Sequence, residues 1–142
     1  MLMTPRLFSV RQTRMQRLRL IISVLLLCAS LAIAADSPTK IVSVDQFDKL
    51  RGDKANVILD VRTEKEFKAG HIPGATLMDL SSPEFDQKIA KLDKSKTYLV
   101  HCAAGVRSSK ACKRLEAAGF TNLVHLPMGF QGWKKAGKPI EK

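Results

Sequence analysis

The sequence predicts an α/β domain built around a mostly parallel sheet and preceded by a secretory signal peptide. Two observations indicate the fold class. Short apolar runs alternate with amphipathic segments from residue 41 onward, and one run, residues 57–61, is almost continuously apolar. Such alternation is typical of βαβ units, and an apolar strand is typical of a sheet covered on both faces. A third observation, the different composition of residues 1–35, indicates the leader.

Residues 1–34 have the pattern of a signal peptide. Five arginines and no acidic residue precede an apolar run that closes with the small residues Ala32 and Ala34. A basic start, a short apolar core and an Ala-x-Ala exit are typical of exported proteins. We expect cleavage, export to the bacterial periplasm and no stable membrane association afterwards. An uncleaved anchor and an organelle transit peptide are the alternatives. Residues 35–40 are then a short linker, and residues 41–142 are the folded domain.

Much of the net charge belongs to this leader. The chain has 24 basic and 13 acidic residues and a formal net charge of +11. All the acidic residues and 19 of the basic ones follow the leader, so the domain carries a charge of +6. Its lysines are scattered and not interleaved with aromatic residues, so nucleic-acid binding is not predicted. A basic surface does attract small anions.

The domain is predicted to start with two strands, each followed by a capped helix. Residues 41–44 form the first strand, and Asp45 caps a helix that runs to residue 50. Residues 57–61 form the buried second strand, after which Thr63 caps a short helix.

A short third strand is predicted at residues 76–78, after a segment punctuated by proline and glycine. Pro83 suits the first turn of the helix that follows. The apolar residues of this helix fall at helical spacing: Phe85, Ile89 and Leu92.

The last two strands are predicted at residues 97–100 and 123–126. Between them lies a helix over residues 108–118 that Gly119 closes. The glycine-rich tail is predicted to form turns, with Trp133 as its one large apolar anchor.

Cys102 lies where such a fold gathers its chemistry, in a loop of small residues between a strand and a helix start. Gly105 permits backbone geometry that other residues resist. The loop amides and the helix N-terminus are therefore expected to form an anion-binding nest. Arg107 adds a permanent charge nearby. A thiol in this position is expected to have a lowered pKa and to act as a nucleophile.

A structural role is the alternative for each cysteine of the domain. A buried cysteine in an ordinary turn would not need the Gly-Val-Arg-Ser continuation that follows Cys102. Cys112 lies in the middle of the predicted helix and is expected to pack as a small apolar residue. A sensor that joins the two as a disulfide is disfavoured, because they lie ten positions apart along a loop and a helix that are expected to hold them too far from each other.

Cysteine-dependent phosphatases share part of this pattern. They have His-Cys, five intervening residues, then Arg and Ser or Thr. Here only four residues separate Cys102 from Arg107. The shorter loop encloses a smaller pocket, which favours a single transferred sulfur atom over a tetrahedral phosphoryl group.

Three ordered segments together resemble the rhodanese family. The active-loop pattern Cys-x-x-Gly-x-Arg-Ser is matched by Cys102, Gly105, Arg107 and Ser108. Residues 59–62 and 66–75 resemble the family's first signature. Residues 129–133 and 137–139 are similar to its closing segment. The resemblance covers nearly all of residues 41–142, and a leader before one domain is similar to the layout of small periplasmic rhodaneses.

The resemblance implies a five-stranded parallel sheet flanked by helices and a sulfurtransferase reaction without metal or organic cofactor. Cys102 would take a sulfane sulfur from thiosulfate or a similar small anion, hold it as a persulfide, and pass it to cyanide, a thiol or a protein acceptor. The implied substrate-binding residues are Ala103, Ala104, Gly105, Val106, Arg107 and Ser108. A persulfide carrier or partner-binding module with little thiosulfate turnover is the alternative.

Other polar residues are assigned supporting roles. Asp60 and Arg62 are expected to form an ion pair beside the loop, and His71 is expected to hold its turn by hydrogen bonds. Neither His101 nor His125 is predicted to be catalytic. Met128 occupies a position where many rhodaneses have a second glycine, and it would narrow the pocket mouth if it borders it.

Overall fold

The computed structural model describes residues 38–142 and contains a five-stranded, entirely parallel sheet. The strand order is β1-β5-β4-β2-β3. The strands are β1 (Thr39–Ile41), β2 (Val57–Asp60), β3 (Ala75–Leu77), β4 (Tyr98–His101) and β5 (Leu123–His125). The predicted α/β class and parallel sheet are confirmed. The predicted signal peptide and residues 35–37 of the predicted linker lie outside the described residues.

Helices cover both faces of the sheet. They are α1 (Val44–Arg51), α2 (Glu64–Ala69), α3 (Phe85–Ile89), α4 (Val106–Ala117) and α5 (Gly129–Lys135). Alternate strand side chains lie on opposite faces of the sheet and contribute to two apolar clusters, one packed against α3 and α4 and the other against α1 and α5. The three inner strands, β2, β4 and β5, are buried on both faces, and their sequences are apolar at consecutive positions for that reason. No helix among the described residues is long and apolar enough to cross a membrane.

Two capping boxes set the starts of α1 and α2. Thr63 caps α2 as predicted, with its hydroxyl accepting from the Glu66 amide and the Glu66 side chain accepting from the Thr63 amide. The predicted cap of α1 was wrong. Ser43, not Asp45, is the cap, because its extended backbone lets it exchange two such hydrogen bonds with Gln46.

Most other predicted boundaries of strands and helices differ from the observed ones by one or two residues. The first strand was predicted at residues 41–44, but β1 begins at Thr39, where pairing with Leu123 of β5 starts. Pro83 precedes Glu84, the residue before α3, and so lies outside the first turn. The helix after the cysteine loop begins at Val106 instead of residue 108.

The predicted turn-rich tail was also wrong, since α5 lies within it. Two positions of this helix require glycine, because neighbouring atoms approach too closely for a side chain. A Cβ atom at Gly129 would overlap the carbonyl oxygens of Cys102 and Ala103, and one at Gly132 would overlap Met128. Trp133 is fully buried, as expected of an anchor, and its indole N–H donates to the Pro139 carbonyl over 2.7 Å.

Candidate active site

The cysteine loop leaves β4 directly and turns into α4 within four residues. Gly105 has a φ of +91°, which is the left-handed region. A Cβ atom there would also overlap the backbone of Pro127. The sequence prediction that this position needs glycine is confirmed, for a conformational and a steric reason.

Cys102 lies beneath this turn, with 1% of its surface exposed. The Gly105 amide donates to its Sγ over 3.1 Å, and the Ser108 hydroxyl lies 3.4 Å from the same atom. Burial alone would raise the pKa of the Cys102 thiol. Hydrogen bonds from the Ser108 side chain and from the amides of the turn outweigh it, so the pKa is lower than that of a free thiol. The loop therefore stabilises the thiolate relative to that of a free cysteine, in the predicted direction.

The back of the loop is held by the start of α5. The Phe130 amide donates to the Cys102 carbonyl over 2.7 Å, and the Gln131 amide donates to the Ala103 carbonyl over 3.0 Å. These bonds give two amides of the first turn of α5 their acceptors. The side of the loop opposite to α5 is left to solvent, where Ala104 and Val106 are exposed.

Arg107 does not stand as an isolated charge. Its guanidinium makes two hydrogen bonds of 2.7 Å to the Glu66 carboxylate. The bonds from Arg107 lower the pKa of Glu66 to about 2, and the same contact raises the pKa of Arg107. Sequence reasoning did not assign Glu66 to the site, because it lies 41 positions before Arg107 in the chain.

Asp60 and Arg62 form the predicted ion pair, and both side chains are buried. Arg62 Nε lies 2.9 and 3.0 Å from the two oxygens of Asp60, and Nη2 lies 2.6 Å from one of them. Arg62 also donates to the Gly70 carbonyl over 2.9 Å and packs over the Phe130 ring, 4.2 Å from its centroid. The pair thus helps to position Phe130, whose amide donates to the Cys102 carbonyl.

Two histidines border the loop from different sides. His125 Nε2 lies 2.9 Å from Ser108 Oγ, the hydroxyl that faces the Cys102 sulfur. Sequence reasoning missed this contact, because nothing in a strand pattern connects residue 125 with residue 108. His101 is fully buried with Nδ1 3.3 Å from the Cys102 carbonyl. Burial lowers the pKa of His101 to about 4, so it is neutral near pH 7.

The remaining assigned residues have structural surroundings. His71 exchanges backbone hydrogen bonds with Glu141 and stacks on the Phe67 ring, in agreement with its predicted role in holding the turn. Cys112 packs in the apolar cluster under α4, and burial raises the pKa of its thiol to about 12. Cys102 and Cys112 are both free. Met128 is 58% exposed and has a φ of −75°, so its position does not require glycine.

Curated relatives and solved structures share this architecture. Residues 43–136 match the rhodanese-like domain family. The chain is 35% identical over 92 residues to the probable adenylyltransferase/sulfurtransferase MoeZ of Mycobacterium tuberculosis. The aligned region covers 65% of this chain but only 24% of MoeZ. The chain is 31% identical to the thiosulfate sulfurtransferase GlpE of Shewanella oneidensis, covering 70% of this chain and 97% of GlpE.

A solved rhodanese-related protein from Thermoplasma volcanium superimposes with a TM-score of 0.64 at 30% identity, covering 72% of this chain and 97% of that one. The chain is also 37% identical over 97 residues to the dual specificity phosphatase Cdc25 of Arabidopsis thaliana, covering 58% of this chain and 64% of that protein. The domain match covers residues 43–136, which include all five helices, the strands β2 to β5 and the cysteine loop, so the chain belongs to the rhodanese-like domain family.

Proposed function

We propose that this protein is a sulfurtransferase that moves a sulfane sulfur from thiosulfate or a similar small anion to a thiol or cyanide through a persulfide on Cys102. The observation that most directly supports this proposal is the environment of the Cys102 sulfur, which lies 3.1 Å from the Gly105 amide and 3.4 Å from the Ser108 hydroxyl. Donors aimed at a sulfur stabilise a thiolate before transfer. They are also suited to a persulfide anion after it.

The reaction takes place in two displacements. The Cys102 thiolate attacks the outer sulfur of thiosulfate, the S–S bond of the donor breaks, and sulfite leaves with the bonding electron pair. An acceptor thiolate or cyanide then attacks the outer sulfur of the persulfide, and Cys102 leaves again as a thiolate. The scheme is covalent catalysis of the ping-pong type and consumes no oxidant or reductant.

The amides of the turn and the Arg107–Glu66 pair have separate parts in this scheme. Ala103, Ala104, Gly105, Val106 and Ser108 supply the amides of the proposed anion cradle. Arg107 stands in the same first helical turn, and its bidentate contact with Glu66 holds the guanidinium in one orientation. The pair therefore stiffens the loop, while the Glu66 carboxylate offsets most of the charge of the guanidinium.

The test is the intact mass of the purified protein after incubation with thiosulfate. We expect a gain of one sulfur atom, about 32 Da, on the wild-type protein and none on Cys102→Ser. Cys112→Ser is the matched control, since it removes the other thiol of the domain; it should gain the sulfur and keep at least about half of the transfer activity. No adduct from thiosulfate or any other sulfane donor would refute the proposal.

Two other functions give different results in the same set of assays. A persulfide carrier would gain the sulfur but release it slowly to cyanide. A phosphatase would hydrolyse p-nitrophenyl phosphate and gain no sulfur. The relation to Cdc25 makes the second assay worthwhile, although the four-residue spacing between Cys102 and Arg107 favours the smaller sulfur atom.

We also propose that residues 1–34 direct export to the bacterial periplasm. Their arginine-rich start and Ala-x-Ala exit support this. N-terminal sequencing of the protein recovered from a periplasmic fraction should begin near Ala35 or Asp36.

A further inference from the structure

The Ser108 hydroxyl has three possible partners but only one proton. Its Oγ lies 3.4 Å from Cys102 Sγ, 3.0 Å from the Gly105 carbonyl oxygen and 2.9 Å from His125 Nε2. A hydroxyl donates one hydrogen bond and accepts two. The Gly105 carbonyl only accepts, and it already receives the Ser109 amide over 2.9 Å. A thiolate also only accepts. The direction of the Ser108 proton therefore depends on what His125 does.

His125 Nε2 either donates or accepts, according to where the imidazole carries its proton. If Nε2 is protonated, it donates to the Ser108 oxygen or to the adjacent Gly105 carbonyl, and the hydroxyl proton is free to point at the sulfur. If Nε2 is unprotonated, it accepts the hydrogen bond from the Ser108 hydroxyl. The hydroxyl then no longer donates to Cys102, and the sulfur loses one of its hydrogen-bond donors. The two states differ by one hydrogen bond to the thiolate.

We propose that His125 is a positioning residue that carries its proton on Nε2 and thereby turns the Ser108 hydroxyl toward the Cys102 sulfur. The ring is well placed for this task, because it is buried at the end of β5, its Nε2 lies 2.9 Å from Ser108 Oγ, and the ring also makes a hydrogen bond with the Gly105 backbone. His125 acts on the sulfur through Ser108. The inference rests on the proposed role of Cys102 as a thiolate, but it does not depend on the identity of the sulfur donor.

The charges around His125 are consistent with a neutral ring near pH 7. From α4, the side chains of Lys110, Lys113, Glu116 and Cys112 line the two grooves that His125 borders, and Cys102 and Ser108 lie beneath the loop. Burial lowers the pKa of His125, and a hydrogen bond with the Gly105 backbone opposes that effect. The neutral form can still hold its one proton on Nε2, so the proposed orientation does not require an imidazolium.

The test is the rate at which iodoacetamide alkylates Cys102, measured against pH in the folded protein. Trypsin cuts after Lys96, Arg107, Lys110 and Lys113, so Cys102 and Cys112 fall in separate peptides and are quantified independently. We expect His125→Leu to slow alkylation at pH 7 at least about threefold and to shift the rate profile to higher pH, because a hydrogen bond to a charged group is lost. His125→Gln, which keeps an amide donor, should recover part of the rate.

A double-mutant cycle with Ser108→Ala separates this role from a structural one. In the Ser108→Ala background the His125→Leu substitution should change the rate less than about twofold, because the group that transmits its effect is gone. An equal effect in both backgrounds, or no effect in the wild-type background, would overturn the proposal. His71→Gln is the control for replacing a buried histidine away from the loop, and it should leave the Cys102 rate within about twofold.

A second measurement needs no variant. The ¹⁵N chemical shifts of the His125 ring in the wild-type protein report which nitrogen carries the proton. We expect a protonated Nε2, and an unprotonated Nε2 near pH 7 would overturn the proposal. Failure of sulfur transfer with a normal alkylation profile would instead count against the proposed function, so the two failures are distinguishable.

Discussion

At the scale of single residues, the backbone of Pro127 limits what the cysteine loop accepts at position 105. Gly105 has a φ of +91°, and any Cβ atom there would overlap the Pro127 carbonyl. Gly137 offers a comparison within the same chain, since its φ is +68° but a Cβ atom would meet nothing within 4 Å. The two glycines separate backbone strain from steric overlap.

We expect Gly105→Ala to disturb the loop and Gly137→Ala to leave it intact. The first substitution adds an overlap to the strain and should reduce persulfide formation at least about tenfold, with a loss of unfolding free energy of about 2–3 kcal/mol. The second adds strain alone, at about 1 kcal/mol, and should leave persulfide formation unchanged. Intact mass after thiosulfate and urea unfolding are the two measurements. Equal losses in both variants would show that the overlap has no role.

At the scale of elements, the buried pair of Asp60 and Arg62 joins three parts of the fold. It lies at the end of β2, reaches the Gly70 carbonyl after α2, and packs on Phe130 of α5. Arg114 makes two of these kinds of contact at the surface, with a bidentate bond to Asp86 and its guanidinium 4.6 Å from the Phe85 ring centroid. An arginine that pairs with an aspartate and packs on a phenylalanine thus occurs twice, once buried and once exposed.

Arg62→Lys should therefore cost far more than Arg114→Lys. Lysine cannot reproduce the bidentate fork, and it leaves the buried carboxylate of Asp60 short of donors. We expect a loss of about 3 kcal/mol for Arg62→Lys and less than about 1 kcal/mol for Arg114→Lys, since exposed pairs contribute little. Urea unfolding of both variants measures the difference. Similar losses would mean that burial of the pair is unimportant for stability.

The elements also show which parts of the site are readable from sequence. The capped α2, the buried β2 and the left-handed turn at Gly105 each show in the local pattern of the chain, and all three were predicted, whereas the overlap of position 105 with Pro127 was not. The Arg107–Glu66 contact joins residues 41 positions apart, and the Ser108–His125 contact joins residues 17 positions apart. The helix α5 was missed because close contacts require its glycines, with the cysteine loop at Gly129 and with Met128 at Gly132. Local chemistry was predictable, whereas pairing across the fold was not.

At the scale of the whole molecule, the core that forms the site also makes stability depend on pH. His101 lies between Phe47 and the Asp60 side chain, with Nε2 3.7 Å from a carboxylate oxygen. Within residues 38–142 its Nε2 is the one fully buried side-chain nitrogen or oxygen without a hydrogen bond. Desolvation outweighs the attraction of Asp60 and lowers the pKa of His101 to about 4. The folded state therefore holds a neutral imidazole at pH values where the unfolded chain protonates it.

The sign of the resulting pH dependence follows from proton binding. Between pH 6.5 and about 4 the unfolded state binds a proton that the folded state does not, so the free energy of unfolding falls as the pH falls through this window. We expect His101 to contribute a loss of about 2 kcal/mol between pH 7 and pH 5. His125, whose pKa is also lowered by burial, adds a loss of the same sign. Glu66 contributes little above pH 5, because its usual pKa of 4.5 lies below that value.

Urea unfolding at pH 7 and pH 5 measures this loss, with His101→Gln as the variant that removes the titration. The glutamine changes stability at both pH values, so the comparison is between the pH 7 to pH 5 differences. That difference should be smaller in His101→Gln than in the wild-type protein by about 2 kcal/mol. If the two differences are equal, His101 is not held neutral by the fold. The pKa of the imidazole would then be the same in the folded and unfolded states, and the folded protein would take up a proton beside Asp60 between pH 7 and pH 5.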